Sequence, residues 1–210
     1  MTDPISPERF HEIGWRVLRE VASVHFATGS FVAGAGLVEA IGKLTDVERG
    51  PDVDLRPKGV TVRLWTDGPG PTERELVLAE RINEAARELG LRADLAGLEV
   101  VQVAIDALVI PDVLPFWRAV LGYDQIDDAD LIDPRRENPP FWFQQMDAPR
   151  PQRNRIHIDV YVSHDEAEAR VAAGLAAGGH IVSDARAPLW WTLADSEGNE
   201  VDIAPWPDQG

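Results

Sequence analysis

The feature that most constrains this chain is an order of elements that occurs twice in its second half. Val101, Val103 and Ile105 alternate with Gln102, Ala104 and Asp106, Pro111 and Asp112 then open a helix through Leu121 to Gly122, and Phe141 to Met146 reads as a strand. The order returns with an alternating strand from Ile156 to Val162, a helix over 166–177, a strand over 190–193 and a closing strand over 200–204. Two copies with a period of roughly 50 residues are too few for a solenoid and imply a pseudo-twofold sheet built from paired units. Aligning the copies sets Gln102 opposite His157, both on the non-core side of their strands.

The strand of the second copy, NRIHIDVYV over 154–162, carries opposite chemistry on its two faces. Side chains alternate along a strand, so Ile156, Ile158, Val160 and Val162 share one face and Arg155, His157, Asp159 and Tyr161 the other. The first face can pack a core; the second offers an imidazole, a carboxylate and a phenol to a site. Glu200 and Asp202 lie opposite the core-type Val201 and Ile203 by the same parity. The acidic segment with Asp127, Asp128, Asp130 and Asp133 is expected to be a solvated loop.

The first half reads as an α+β layer. Pro7 to His11 predicts a short helix, 15–26 strand material, and Phe31 to about Val47 a helix with Phe31, Ala35, Val38, Ile41 and Leu44 at helical spacing. Glycines 34, 36 and 42 weaken that helix by about 1 kcal/mol each. Val53 to Leu55 and 59–66 read as extended, and Thr72 with Glu75 forms a capping box that opens a helix over 73–89. A glycine-bearing polar connection follows, with the boundary near Ala93. His11 and His25 are the imidazoles of this half, while His164 and His180 fall at a strand end and a loop.

Charge narrows the partners. The formal net charge is −16, which repels a phosphate backbone, so nucleic acid is not an expected partner. The chain has no cysteine, which removes disulfide and thiolate chemistry. No apolar run reaches the roughly 18 residues of a membrane span, so no membrane association and a cytoplasmic location are expected. A small-molecule ligand is the expected partner, and a homodimer is left open.

Gly14 to about Gly90 resembles the pterin-4a-carbinolamine dehydratase family in its Trp15 strand, Phe31 helix, PDVDLR at 51–56, VTVRL at 60–64 and TERE at 72–75. That family carries a His-His-Pro motif and a later His as its proton-transfer groups. Here Arg49, Gly50 and Pro51 stand at the motif and Asp67 at the later position. The resemblance implies a domain over 1–93 lacking the catalytic histidines. It serves as a scaffold, a dimerisation surface or a pterin-like ligand binder with Arg49 toward the ligand. The other alternative is residual 4a-hydroxytetrahydrobiopterin dehydratase activity with Asp67 or Glu48 as the base, although neither group titrates near neutral pH unperturbed.

Residues 98–206 resemble the vicinal oxygen chelate superfamily of glyoxalases, bleomycin-resistance proteins and extradiol dioxygenases. The resemblance rests on PFWRAVLGY at 115–123, NRIHIDV at 154–160 and DSEGNEVDI at 195–203. It implies paired β-α-β-β-β modules in a cupped sheet and metal ligands from the first and last strand of each module. Those positions are Gln102, Gln144 or its neighbour Gln145, His157 and Asp202. One divalent metal of unspecified identity is one reading of this set, and a metal-free pocket is the other, because two amides add no charge. Glu200 is the acid–base candidate, Trp142, Trp191 and Tyr161 are the substrate-binding candidates, and Asp159 a carboxylate that orients His157. The expected protein is thus a two-domain α+β chain. Its expected role is that of a glyoxalase-like small-molecule enzyme or former enzyme, with metal-free binding of an aromatic or pterin-like ligand as the alternative.

Overall fold

The computed structural model describes residues 4–44, 50–65, 70–149, 157–162 and 165–205. The chain divides into two compact units, Met1–Val100 and Val101–Gly210. Among the described residues three sheets are present, one in the first unit and two in the second. No helix of the described residues is long and apolar enough to cross a membrane.

The first unit runs α1 (Pro7–Glu12), β1 (Arg16–Leu18), β2 (Val21–Ala27), α2 (Phe31–Leu44), β3 (Asp52–Arg56), β4 (Gly59–Leu64), α3 (Glu73–Glu88) and β5 (Arg92–Ala93). Its antiparallel sheet has the order β1-β2-β4-β3, and β5 adds to β2, so the residues at the expected linker belong to this sheet. Ala22, Val24 and Phe26 of β2 with Val60, Val62 and Leu64 of β4 form one apolar face. Leu37 and Ile41 of α2 and Leu76, Ala79, Ile82 and Ala86 of α3 pack on it. The capping box holds in part as read: the Glu75 carboxylate accepts the Thr72 backbone N–H at 2.9 Å.

The packed face of α2 is the expected one at Val38, Ile41 and Leu44 but not at Phe31 and Ala35. Gly34, Leu37 and Ile41 are buried, whereas Phe31 is 55% exposed. The reason is close approach to the sheet: a Cβ on Gly34 would stand 2.5 Å from Leu55 Cδ1 and 3.2 Å from Val60 Cγ2. The glycine that weakens the isolated helix is the one that lets it touch the strands.

The second unit runs β6 (Val103–Ala107), α4 (Ile110–Leu121), β7 (Asp124–Gln125), β8 (Asp130–Ile132), β9 (Phe141–Gln145), β10 (Ile158–Val162), α5 (Ala167–Ala176), β11 (His180–Ser183), β12 (Trp191–Ala194) and β13 (Glu200–Pro205). The repeat is a repeat of topology. One sheet has the order β6-β9-β8-β7 and the other β10-β13-β12-β11. In each, the first strand of the module pairs parallel with the last, and the remaining pairs are antiparallel. Each module is therefore β-α-β-β-β. Among the described residues each module forms its own four-stranded sheet.

A single core joins the modules. Val113, Phe116, Trp117 and Val120 of α4 pack with Ile105, Phe141 and Phe143 of the first sheet and with Leu193, Val201 and Ile203 of the second. Glycine again permits the contact, since a Cβ on Gly174 of α5 would lie 2.7 Å from Val120 Cγ1. Gly122 ends α4 in the left-handed conformation (φ +71°), where other residues are strained.

The acidic segment is solvated at Asp127 and Asp128, which are exposed, but not at Asp130 and Asp133, which are buried. Asp133 is 6% exposed, and its carboxylate accepts the backbone N–H groups of Arg135 (2.9 Å), Glu137 (3.2 Å) and Asn138 (3.0 Å) and the Asn138 amide (2.8 Å). Burial, the largest single influence on this carboxyl, pushes its pKa up, but those hydrogen bonds together hold it below the ordinary value. Asp133 thus folds the β8–β9 hairpin. Asp195 does the same between β12 and β13: its carboxylate accepts the N–H groups of Glu197 and Asn199 at 2.9 Å each and the Asn199 amide at 2.8 Å. The modules share their hairpin chemistry as well as their topology.

Candidate functional site

The outward face of the β10–β13–β12 sheet carries the polar residues expected there. Ile158, Val160 and Val162 pack against the core while Asp159 and Tyr161 are exposed, so the alternation read along this strand is present in the described residues. The parallel register sets Asp159 beside Asp202 and Tyr161 beside Ala204. The antiparallel register on the other side sets Thr192 beside Asp202 and Ala194 beside Glu200.

His157, Asp159 and Asp202 converge. The ligand atoms of the three lie within 4.8 Å of one another. His157 Nε2 stands 3.2 Å from Asp159 Oδ1 and 3.9 Å from Asp202 Oδ2. The other oxygen of Asp202 is taken: Thr192 Oγ1 donates to Asp202 Oδ1 at 2.6 Å. The cluster opens to solvent rather than into an enclosed cavity, with the His157 and Asp159 side chains 54% and 45% exposed and that of Asp202 22%.

Two like charges side by side on adjacent strands cost stability, about 0.2–1 kcal/mol for a directly opposed pair. An imidazole whose nitrogen faces both carboxylates offsets that cost when protonated, and so does a cation bound among them. Donor atoms around a cation bonded at about 2.0–2.2 Å stand about 3–4.3 Å apart, a range that includes the 3.2 and 3.9 Å separations of His157 Nε2 from the two carboxylates. One imidazole and two carboxylates form a hard, oxygen-rich donor set of the kind that suits manganese, magnesium or zinc.

The remaining candidates fall in several places. Glu200 lies on the same outward side of β13 as Asp202 and is half-buried. Gln102 lies just before β6 and Gln144 lies on β9, both in the first module. The Gln102 amide donates to Asp130 Oδ1 at 3.3 Å, and Gln144, exposed on β9, has Asp106 as its register neighbour. Gln145 donates to the Leu108 carbonyl at 2.6 Å, which ties it to the backbone. Asp159, read from sequence as an orienting group, is the carboxylate that clusters with His157 and Asp202. Trp142 is 37% exposed on the outward side of β9, and Tyr161 is 62% exposed. Trp191 packs against the core instead of facing outward with Thr192. His180 lies in β11, not in a loop. Arg49, Glu48, Asp67, Arg155 and His164 lie outside the described residues.

Three residues around the site have roles the sequence reading did not assign. Trp117 Nε1 donates to the fully buried Asp195 at 2.9 Å, so the PFW and DSEGNE segments meet. Glu197 accepts the N–H groups of Leu108 and Val109 at 2.7 Å each and holds the start of α4. Thr192 fixes the Asp202 carboxylate. The recurrence of an Asp followed within four or five residues by an Asn, at 133–138 and 195–199, marks the two hairpin aspartates, Asp195 included, but neither Trp117 nor Glu197. No local pattern marks Thr192.

With this topology and this cluster in place, the comparison with known families is direct. Residues 102–204 match the family model of the glyoxalase-like domain. The second unit thus carries a glyoxalase-like domain, and the match does not extend to the first unit. No curated protein sequence matches the chain. Among solved structures, a glyoxalase/bleomycin resistance protein/dioxygenase family enzyme from Burkholderia phytofirmans PsJN is similar, at 16% identity over 51% of this chain and 98% of that one with a TM-score of 0.42. A glyoxalase/dioxygenase from Nostoc punctiforme is similar at 13% identity, 56% and 99% coverage and a TM-score of 0.44. The fosfomycin resistance protein FosX from Listeria monocytogenes, complexed with Mn(II) and sulfate, is similar at 10% identity, 55% and 94% coverage and a TM-score of 0.41.

Proposed function

We propose that the glyoxalase-like domain is a small-molecule enzyme whose site lies on the outward face of β10, β13 and β12, with a divalent cation held by His157, Asp159 and Asp202. The observation that carries this reading is the convergence of an imidazole and two register-paired aspartates on one exposed face. When bound, such a cation supplies Lewis acidity toward a substrate oxygen. The chain's own groups do the rest. His157 presents Nε2 to the site, Asp159 and Asp202 lower the cost of positive charge there, and Glu200, two residues from Asp202 on the same side, is placed to accept a proton from the substrate. Tyr161 stands two residues beyond Asp159 on the same face and offers a phenol to the ligand.

The test is calorimetric titration of the metal-stripped full chain with Mn(II), Mg(II) and Zn(II), beside His157→Ala and Asp202→Ala. One cation per chain is expected, with affinity reduced at least about tenfold in each variant. Absence of binding, or binding that both variants leave intact, removes the metal from the reading.

A second reading, metal-free binding of an aromatic ligand, is favoured by the exposure of Trp142 on a sheet face. Quenching of tryptophan fluorescence by such ligands, lost in Trp142→Phe and indifferent to chelators, is its expected signature. For the first unit the dehydratase reading rests on resemblance in sequence, and its candidate groups Arg49, Glu48 and Asp67 lie outside the described residues. A carbinolamine dehydration rate no faster than buffer would remove it.

A further inference from the structure

We infer that Thr192 is a positioning residue for the cation site, holding Asp202 so that one carboxylate oxygen is spent on the protein and the other is presented to the ligand. The inference rests on the proposed cation site and adds to it a residue that touches no ligand.

The argument begins with the two oxygens of Asp202. Thr192 Oγ1 donates to Oδ1 at 2.6 Å, while Oδ2 faces His157 Nε2 at 3.9 Å. Thr192 and Asp202 are register partners across the antiparallel β12–β13 pair, so the bond runs between neighbouring strands at a position the ladder fixes. On the other side of β13, Asp159 is the register partner of Asp202. Without a tether, repulsion between the two carboxylates would favour rotation of Asp202 away from Asp159 and out of the cluster. A β-branched residue is stiff about χ1, so threonine supplies the hydroxyl from a nearly fixed point. Its neighbour Leu193 is fully buried in the core, which anchors β12 beneath it. With Oδ1 accepting the Thr192 proton, Asp202 would offer Oδ2, the oxygen that faces His157, to a cation.

The experiment compares wild type, Thr192→Val and Thr192→Ser as full chains. Affinity for Mn(II) is read by calorimetry, and the absorption spectrum of the Co(II)-loaded protein is read alongside. Loss of an outer hydrogen-bond partner of a metal ligand commonly costs 10–100-fold in affinity, so Thr192→Val is expected to bind Mn(II) at least about tenfold more weakly. Its Co(II) bands are expected to shift, and Thr192→Ser, which keeps the hydroxyl, to recover most of the affinity and the wild-type bands. A purely structural pairing would change thermal stability but leave the Co(II) spectrum of the folded protein alone. Affinity within about twofold of wild type with an unchanged spectrum in Thr192→Val overturns the inference while leaving the cation site standing. Wild type that binds no cation overturns both.

Discussion

The replacement of Asp195 tests how the second module is held together. Asp195 is fully buried, and its Oδ2 accepts Trp117 Nε1 at 2.9 Å and the Asn199 amide at 2.8 Å, while Oδ1 accepts the N–H groups of Glu197 and Asn199 at 2.9 Å. Asp195→Ala removes every one of these acceptors. Trp117 is 1% exposed, so its indole N–H would be left without water or protein, which costs about 1–3 kcal/mol. The hairpin donors are half-buried and can reach water only by opening the turn, which forfeits charge-assisted bonds worth about 1.5–3 kcal/mol. Relief of the carboxylate's own desolvation works in the opposite direction. We expect the donors to win, with a net loss of about 3–5 kcal/mol, in the range reserved for broken buried polar networks.

Hydrogen exchange read by mass spectrometry suits this two-unit chain because it needs no two-state assumption. Peptides covering β12 and β13 should lose protection by about 100- to 3000-fold in Asp195→Ala, since each 1.4 kcal/mol is tenfold, while peptides of β2 and β4 stay at wild-type rates. Asp195→Asn keeps an oxygen for the two backbone donors but turns an N–H2 group toward other donors, so it should recover roughly half of the loss. In the Asp195→Ala background, Trp117→Phe should cost less than in wild type, because the indole has already lost its acceptor. A drop in protection below about tenfold would show that desolvation cancels the network, and the reasoning would fail.

Asp159→Asn should separate stability from binding: the metal-free protein gains about 0.2–1 kcal/mol by relief of the Asp159–Asp202 repulsion, while cation affinity falls. Equal loss of both in chemical denaturation and calorimetry would contradict the like-charge account. Tyr123 supplies an alkaline prediction. Burial, with Asp133 adding to it, pushes its phenol up to about 12. A group with a raised folded pKa contributes stability that is complete below its unfolded value of about 10 and is lost as pH rises toward the folded one, so stability should fall between about pH 10 and 12. The chain has 2 tyrosines, so Tyr161→Phe leaves Tyr123 as the single phenol, and its ultraviolet titration midpoint should lie near 12; a midpoint near 10 refutes the assignment. Asp133 predicts the acid side: its folded pKa is depressed, so its contribution is present above about pH 4 and fades as pH falls through the folded value. Asp133→Asn should therefore show a flatter acid-denaturation profile than wild type, and an identical slope would count against it.

Much of this protein could be read locally. Helices over 73–88 and 110–121 and the strand at 158–162 were legible because helix caps, a C-terminal glycine and period-two alternation depend on residues close in sequence. The short strands β7, β8 and β11 were not, because two to four residues carry too little periodicity, and their pairing partners decide them. The core face of α2 was legible at Val38, Ile41 and Leu44 but not at Gly34, because a glycine's value as a contact point depends on how near the sheet comes, which spacing along one helix does not report. The repeat was visible as an order of elements, and its pairing rule, first strand parallel to last, became visible only in three dimensions.

The same division holds at the site. Sequence parity alone determined that His157 and Asp159 share one face of their strand and that Glu200 and Asp202 share one face of theirs, since side chains alternate whatever the fold. Tertiary structure decided that these two faces are one. It did so through the parallel register that sets Asp159 beside Asp202, strands more than forty residues apart in the chain and joined by a helix and two further strands. It also set Asp159 beside His157 and Thr192 beside Asp202, because which carboxylate meets which hydroxyl is a property of strand pairing, and strand pairing is a long-range choice made by the shared core beneath.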